Sequence, residues 1–348
     1  MSLARVVCVL ASVAVLGAGC GKKKAASNAP APEITGLAAV PATAEVVLGA
    51  DIAKLAGSPV IDRVTEQLLL RNPPLSERWQ HLKDACKIDL RKQVKHVMLA
   101  IGPSASAAGG QAPVGTGPVL MIVVGSIPEA DLKDCVAKLV GTGGGSVTGK
   151  PLGGHTLYVA KDGNRTMYFA YGRPDTVVLG SSEAYVTEAL GTGKKAPDNP
   201  ELSKWLGLVN QGAALWAAGR ADARIRDGLV HLTDGKLKQG PVAFTLTGDL
   251  ANGANLDLGA VMPGAEDANS LESYVMGEIA LLVAAAQWRS LGPVVGKISV
   301  ANQNGVVHLR APLTVEDLNL LLSALDGGKP PAQDSSPATP TPAPAAGN

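Results

Sequence analysis

Three short turns constrain the fold of this chain more than any other feature. Asp162-Gly163, Asn252-Gly253 and Asn304-Gly305 each lie between two segments rich in β-branched and apolar residues. An Asx-Gly pair adopts the positive-φ backbone that a tight hairpin needs, because glycine carries no Cβ. Strands joined by such turns run antiparallel, so the three turns predict a mostly antiparallel sheet.

Helical patterns separate these hairpins. Ser58-Pro59 is typical of a helix start and predicts a helix to about Leu70. A long helix is predicted from Glu266 to about Ser290, and the capping-box spacing of Thr314 and Asp317 opens a last helix. Antiparallel hairpins combined with helices indicate an α+β protein whose helices pack on one face of the sheet.

The order of predicted elements repeats along the chain. Residues 36–195 and residues 196–326 both read strand, helix, two strands, helix, strands, helix. The strand-to-helix junctions at 126–131, 262–267 and 312–317 are also alike, although a helix cap alone explains acidic residues in a first helical turn. The repeated order predicts two related α+β halves.

Composition bounds the partners of the chain. Hydrophobic residues make up 46% of the 348 residues, so the body can bury a core, whereas the Pro- and Ala-rich residues 327–348 are predicted to be a disordered tail. The net charge of +1 and the 3% of aromatic residues offer neither a basic surface nor stacking platforms. Nucleic acid is therefore not an expected partner.

The first 20 residues are typical of an export signal. Arg5 precedes an apolar run from Val6 to Leu16, which small residues follow up to Cys20. The run is too short to cross roughly 30 Å of hydrocarbon as a helix. One interpretation is ordinary secretory cleavage near Ala18, which leaves Cys20 as an incidental thiol.

The ending Gly17-Ala18-Gly19-Cys20 resembles the signal of a bacterial lipoprotein, with Leu16 one position further from the cysteine than is common. The resemblance implies that residues 1–19 are removed and that Cys20 carries fatty acyl chains such as palmitate. Residues 20–35 would then be a flexible tether to the membrane. Because Gly21 replaces the Asp that favours inner-membrane retention, the resemblance implies an outer-membrane anchor facing the periplasm. In general pattern the chain is similar to uncharacterised lipoproteins of high-GC Gram-negative bacteria.

Cys86 and Cys135 remain once the signal and Cys20 are set aside. An even pair in an oxidising compartment favours a disulfide. Two separate buried thiols and a metal pair are the alternatives, the second disfavoured because no His lies near Cys135.

Sequence motifs for catalysis and cofactor binding are lacking. Gly144 to Lys150 fits the start of a phosphate-binding loop, but Pro151 replaces the Ser or Thr that would hold magnesium, so we interpret the segment as a flexible turn and expect no nucleotide. The five histidines (His81, His96, His155, His231 and His308) have no metal-ligand spacing. No catalytic residue, metal or cofactor is predicted, so the chain is not expected to be an enzyme.

Two apolar features have competing interpretations. The aromatic residues Tyr158, Tyr168, Phe169 and Tyr171 are either sheet residues covered by helices or a binding patch, with Phe169 and Tyr171 on one face. The segment Ile279–Ala286 is apolar around the whole helix, which favours a helix buried between layers over a lipid-lined groove.

These observations favour a non-catalytic lipoprotein of the cell envelope that acts as an interaction or scaffold module for an envelope protein. The alternative is a binding or carrier module for an apolar ligand such as a lipid, held between the sheet and the long helix. An unrecognised hydrolase would need a nucleophile, a His and an acid brought together from distant parts of the chain.

Overall fold

All strands of the described sheet pair antiparallel with their neighbours, which confirms the α+β class. The structure is a computed structural model, and it describes residues 34–86, 88–104, 113–286 and 291–325. The predicted signal, Cys20, almost all of the tether and the C-terminal tail lie outside these residues. So does the centre of the segment from Pro103 to Gly117, whose Gly, Ala and Ser residues between two apolar runs predict a long mobile hairpin loop.

The elements alternate between hairpins and helices. The strands are β1 (Val46–Asp51), β2 (Val94–Ile101), β3 (Val119–Gly125), β4 (Ser146–Leu152), β5 (His155–Asp162), β6 (Arg165–Arg173), β7 (Thr176–Gly180), β8 (Leu215–Arg220), β9 (Ala243–Asp249), β10 (Ala254–Val261), β11 (Ser299–Gln303) and β12 (Val306–Leu313). The helices are α1 (Ile52–Leu55), α2 (Pro59–Arg71), α3 (Pro73–Ala85), α4 (Leu90–Gln93), α5 (Glu129–Gly141), α6 (Glu183–Leu190), α7 (Pro200–Leu206), α8 (Ala223–Leu232), α9 (Ala265–Ala286), α10 (Gly292–Val295) and α11 (Val315–Leu325). Short 3-10 helices cover Gly36–Ala39 and Ala196–Asp198.

The described strands form one continuous sheet in the order β11-β12-β10-β9-β8-β1-β2-β3-β7-β6-β5-β4. The first strand of each predicted half, β1 or β8, lies at the centre, and these two strands pair with each other. From this pair outward the order is β2, β3, β7, β6 on one side and β9, β10, β12, β11 on the other. Corresponding strands of the two halves therefore occupy corresponding places, and the first half adds β5 and β4.

Helices lie on both faces of the sheet. On the first face, α6 and α7 cover a core that includes Val47, Ala100 and Trp216. On the second face, α5 covers one cluster, which includes Phe169, and α8 and α9 cover another, which includes Leu271. The sequence predicted helices on one face of the sheet. The helices α5, α8 and α9 do share one face, but the shorter α6 and α7 pack on the other.

The segment around Lys150 is a strand, and its interpretation as a flexible turn was wrong. β4 pairs with β5 from Ser146 opposite Lys161 to Leu152 opposite His155. Because β4 is an edge strand, Pro151 can lie in it without removing a ladder hydrogen bond from a second neighbour. The phosphate-binding fold is also ruled out here, since a strand follows the glycines where a helix N-terminus would be needed.

A disulfide joins Cys86, at the end of α3, to Cys135 in α5. The Cα atoms of the two cysteines are 4.6 Å apart, and Cys135 is buried. The predicted pairing is confirmed, and it attaches α3 to the helix layer of the second face.

The C-terminal half of α9 does not lie between layers, which corrects the expectation for Ile279–Ala286. Leu281 and Leu282 are 66% and 56% exposed, and among residues 279–285 only Ile279 and Val283 are half-buried. When only one side of an all-apolar helix packs on the sheet, the apolar side chains on its other side remain exposed. None of the described helices has the length and hydropathy that a membrane crossing requires.

Candidate functional site

Five apolar side chains from neighbouring strands form one cross-strand row on the second face of the sheet. We call these residues the central row: Leu48, Ala217, Leu246, Leu258 and Leu309. They lie opposite one another in register on β1, β8, β9, β10 and β12. Residues directly opposite in an antiparallel sheet point to the same face, so the row is a continuous apolar strip.

No residue of the central row is fully buried by the described part of the chain. Leu258 is 41% exposed, and the other four are half-buried. On the opposite face of the same strands, Val47 and Ala218 are 0% and 1% exposed. On the first face, α6, α7 and the residues before β1 pack on these strands, whereas no residue of the central row belongs to a buried cluster of the second face.

The row continues at both ends into covered clusters. Leu48 pairs with Leu99, which pairs with Met121, and Met121 is buried in the cluster under α5. At the other end Leu309 pairs with Val300, which packs in the cluster under α9. The central row belongs to neither cluster. It is therefore the floor of a gap between two helix-covered parts of one face.

A second row on the same face widens this floor. Its members are small or apolar and lie two residues along each strand: Ala50, Leu215, Gly248, Leu256 and Ala311. Gly248 contributes no side chain, and the other four are half-buried. Neither row contains a charged or polar side chain, so the floor offers hydrophobic contact and no hydrogen-bonding group from its side chains.

Two helices that bury few of their residues, α2 and α8, also expose apolar side chains. α8 buries none of its residues, and α2 buries only Val60. Val64, Ile225 and Leu232 are 47%, 50% and 66% exposed on these two helices. α2 also meets α11 across an apolar cavity of about 100 Å³. Such helices are held weakly by packing, because burial of apolar side chains supplies most helix stability in a folded protein.

The predicted aromatic cluster is a packed part of the core. Phe169 and Tyr158 are 0% and 6% exposed, and their rings stack with centroids 5.3 Å apart. Phe169 and Tyr171 lie with the cluster under α5, while Tyr168 packs on the other face, as alternation predicts. The Tyr171 hydroxyl donates to the Ile127 carbonyl at 3.0 Å, and burial together with the nearby Glu129 raises its pKa. The interpretation as covered sheet residues is confirmed.

The described histidines make structural contacts or face solvent. His155 donates a hydrogen bond from Nδ1 to the Tyr171 carbonyl at 2.9 Å, and His96 and His231 are exposed. His308 Nδ1 lies 2.7 Å from Asp257 Oδ1, on the first face of the sheet. The side chain of His81 lies outside the described set. Within the described residues no three His, Cys, Asp or Glu side chains are grouped as a metal site.

The Asp257 carboxylate is shared between two side chains of β12, His308 and Arg310. Its other oxygen accepts from Arg310 Nε at 2.9 Å, so the His308 contact is one part of a hydrogen-bond network around Asp257. Partial burial raises the pKa of Asp257, but the hydrogen bonds from Arg310 and His308 outweigh it and hold the pKa below its ordinary value. This network links β10 to β12, and the described contacts of His308 include no serine or threonine hydroxyl.

The signal for the central row was present in the sequence but could not be interpreted there. Each of its residues belongs to a strand that the sequence predicts, yet exposure depends on which helices cover which strands. The polar cluster at Asp257 was missed for the same reason, since its members are about 50 residues apart. The predicted sites Cys86 and Cys135 are brought together, while Cys20 lies outside the described residues.

Comparisons with known proteins give a fold-level likeness at most. No family model and no curated protein matches the chain. The chain is similar to a solved structure titled "Structure of crystal form I of TP0453", with 12% sequence identity and a TM-score of 0.46. The match covers 86% of this chain and 99% of that chain. At this level of similarity nothing about function passes from one protein to the other.

Proposed function

We propose that this chain is a non-catalytic lipoprotein of the cell envelope that binds an apolar ligand on the central row. The observation that carries the proposal is the incomplete burial of that row: five aligned apolar side chains at the middle of a sheet, of which Leu258 is exposed and none is fully buried. Contiguous apolar surface of this kind is rare on a protein without a partner for it.

The ligand that fits this floor is long, narrow and uncharged along its length. Neighbouring strands are about 4.8 Å apart, so five strands span about 19 Å, somewhat more than one leaflet of a hydrocarbon core of roughly 30 Å. An acyl chain laid across the strands would meet one apolar side chain per strand. This supports a lipid as the ligand class, with fatty acid as the simplest probe.

Leu258→Gln tests the proposal in the protein exported with Cys20→Ala, so that no detergent is needed. We expect wild-type body to bind a fluorescent fatty acid that palmitic acid displaces, and the variant to bind it about tenfold more weakly. The reason is that a glutamine amide in the floor must lose its water when the ligand covers it. The measurement is a fluorescence titration followed by displacement.

Leu208→Gln is the matched control, because Leu208 is also 41% exposed but lies after α7, outside both rows. It should bind the probe as the wild type does. Equal loss in both variants, or absence of displaceable binding in the wild type, would refute the proposal.

A second candidate is an interaction module for an envelope protein, and the exposed end of α9 favours it. Leu281, Leu282 and Met276 are each more than half exposed on one helix. A photo-crosslinking residue at position 281 should then yield one discrete adduct in intact cells, and the same residue at the exposed Leu70 of α2 should not. Identical adduct patterns at both positions would argue against a specific partner.

A further inference from the structure

A cleft of about 380 Å³ opens between α8 and the segment that leads into β9. Its lining includes Arg226 and His231 from the helix and Lys238 and Gly240 from the segment. The cleft is distinct from the central row, which is built from strand residues alone. The side chains of Arg226, His231 and Lys238 carry nitrogen donors.

Arg226 is the unusual member of this lining. Its Nε atom is buried and has no hydrogen-bond partner among the described residues. The guanidinium also forms no ion pair with any described carboxylate, although the exposed Asp227 borders the same cleft. A buried charged donor that lacks an acceptor costs folding free energy, so native proteins nearly always supply one.

The backbone around the cleft is held in place on both sides. The amides of Lys238 and Gln239 both donate to Asp267 Oδ1, at 2.8 and 3.1 Å, which fixes the segment to α9. Gly240 lies so close to the backbone of Arg226 that a Cβ there would be 2.6 Å from the Arg226 Cα atom. The backbone of α8 at Arg226 therefore packs closely against the segment that leads into β9.

The charges at the cleft are unevenly compensated. Lys238 Nζ is paired with Glu266 at 2.7 Å. Of the described lysine and arginine side chains that line the cleft, only Arg226 has no ion-pair partner. His231 is exposed beside it. The charge of Asp227 is exposed to solvent and so is screened more strongly than that of the partly buried guanidinium.

We propose that this cleft binds an anion through Arg226, and that the ligand class is a phosphoryl group. A planar guanidinium presents donors in the arrangement that phosphate oxygens accept, and the cleft has room for more than a single phosphate ion. The phosphoryl group is carried either by a soluble phosphate ester or by a phospholipid headgroup.

The test compares the purified full-length chain with Arg226→Met and Arg224→Met, by thermal unfolding with and without inorganic phosphate at constant ionic strength. Arg224 lies on the same helix but is exposed and already paired with Asp222, so it is the matched control. We expect phosphate to raise the unfolding temperature of the wild type and of Arg224→Met. Arg226→Met should bind phosphate at least about tenfold more weakly, as loss of a charge-assisted hydrogen bond predicts.

In phosphate-free buffer Arg226→Met should be at least as stable as the wild type, because the methionine keeps the apolar stem and removes the unsatisfied donor. A structural arginine would instead make this variant less stable, and that result would overturn the proposal. So would a phosphate response that is absent from the wild type or retained in Arg226→Met.

A second measurement separates the two sources of the phosphoryl group. Vesicles of phosphatidylcholine with phosphatidylglycerol, compared with phosphatidylcholine alone, are sedimented with each variant carrying Cys20→Ala. Binding that Arg226→Met loses assigns a lipid headgroup, and absence of vesicle binding together with a phosphate response assigns a soluble ester. Failure of fatty-acid binding at the central row leaves this proposal intact, since the two sites share no residue.

Discussion

At the scale of single residues, glycines show how closely some strands approach their neighbours. A Cβ on Gly49 of β1 would lie 2.2 Å from the ring of Trp216, the residue directly opposite it on β8. Trp216 itself is 3% exposed, so the ring has no free space to move into. The pair fixes how the two central strands meet.

Gly49→Ala is therefore expected to lower the free energy of unfolding by about 1–3 kcal/mol, the usual cost of overpacking a core. Gly277→Ala is the control: a Cβ there meets nothing within 4 Å, and alanine favours the helix, so this variant should gain about 0.5–1 kcal/mol. Urea unfolding of the three proteins measures both effects. A Gly49→Ala protein as stable as the wild type would show that the Trp216 ring can shift.

The Asp257 network predicts a pH dependence with a defined sign. Because the folded-state pKa of Asp257 is depressed, its contribution to stability is complete above the unfolded pKa of about 3.9 and is lost as pH falls through the folded value. The difference in unfolding free energy between wild type and Asp257→Asn should thus shrink as the pH falls below about 3.9. Chemical unfolding at a series of pH values measures it.

Asp134→Asn, which changes an exposed carboxylate of α5, is the matched control and should follow the wild type through the same range. A wild-type minus Asp257→Asn difference that stays constant down to pH 2 would contradict the assignment.

At the scale of elements, the disulfide is the main restraint on α3. This helix contacts α2 and α5 and has the disulfide to Cys135 near its C-terminal end. The bond closes a loop with a sequence separation of 49, which in the chain-entropy model constrains the unfolded chain substantially.

Replacing Cys86 and Cys135 together by serine should lower the unfolding free energy by about 2–4 kcal/mol. Non-reducing peptide mapping should find the two cysteines linked in the exported wild-type protein, and urea unfolding measures the loss. The single variants should be no more stable than the double variant. Free thiols at both positions of the exported protein would show that the bond does not form there.

Some strands and hairpins could be predicted from the sequence alone, and others could not. The hairpins around Asp162-Gly163, Asn252-Gly253 and Asn304-Gly305 were predictable because the turn chemistry is local: Gly163, Gly253 and Gly305 adopt positive φ. The strand β4 was missed because Gly149 and Pro151 disfavour a strand locally, and pairing with β5 overrides that preference. The exposure of the central row was missed because it depends on helices distant in sequence.

At the scale of the whole molecule, the two halves share one sheet. The β1–β8 pair joins them, and Arg220 forms an ion pair with Glu45 beside that junction. Packing on the first face is continuous across the junction, since Val47 and Ala218 lie in one buried cluster.

Cellular placement is also a property of the whole chain, and Cys20→Ala tests it. If Cys20 carries acyl chains, the wild type should sediment with membranes, and the variant should move to the soluble periplasmic fraction, because two or three chains are needed for stable anchoring. Cell fractionation with immunoblotting is the measurement. Cys8→Ala, in the predicted signal, should leave the distribution unchanged. A Cys20→Ala protein that stays with the membranes would refute the anchor.

The two edge strands of the described sheet, β4 and β11, affect how readily it can pair edge to edge with the sheet of another copy. β4 carries Pro151, which has no N–H to offer, and β11 at the opposite end is only five residues long. Growth of a sheet from molecule to molecule requires a long edge with free donors, and Pro151 in β4 and the shortness of β11 limit such growth at the two edges. The two edges of the described sheet therefore disfavour edge-to-edge pairing with a second copy of the chain.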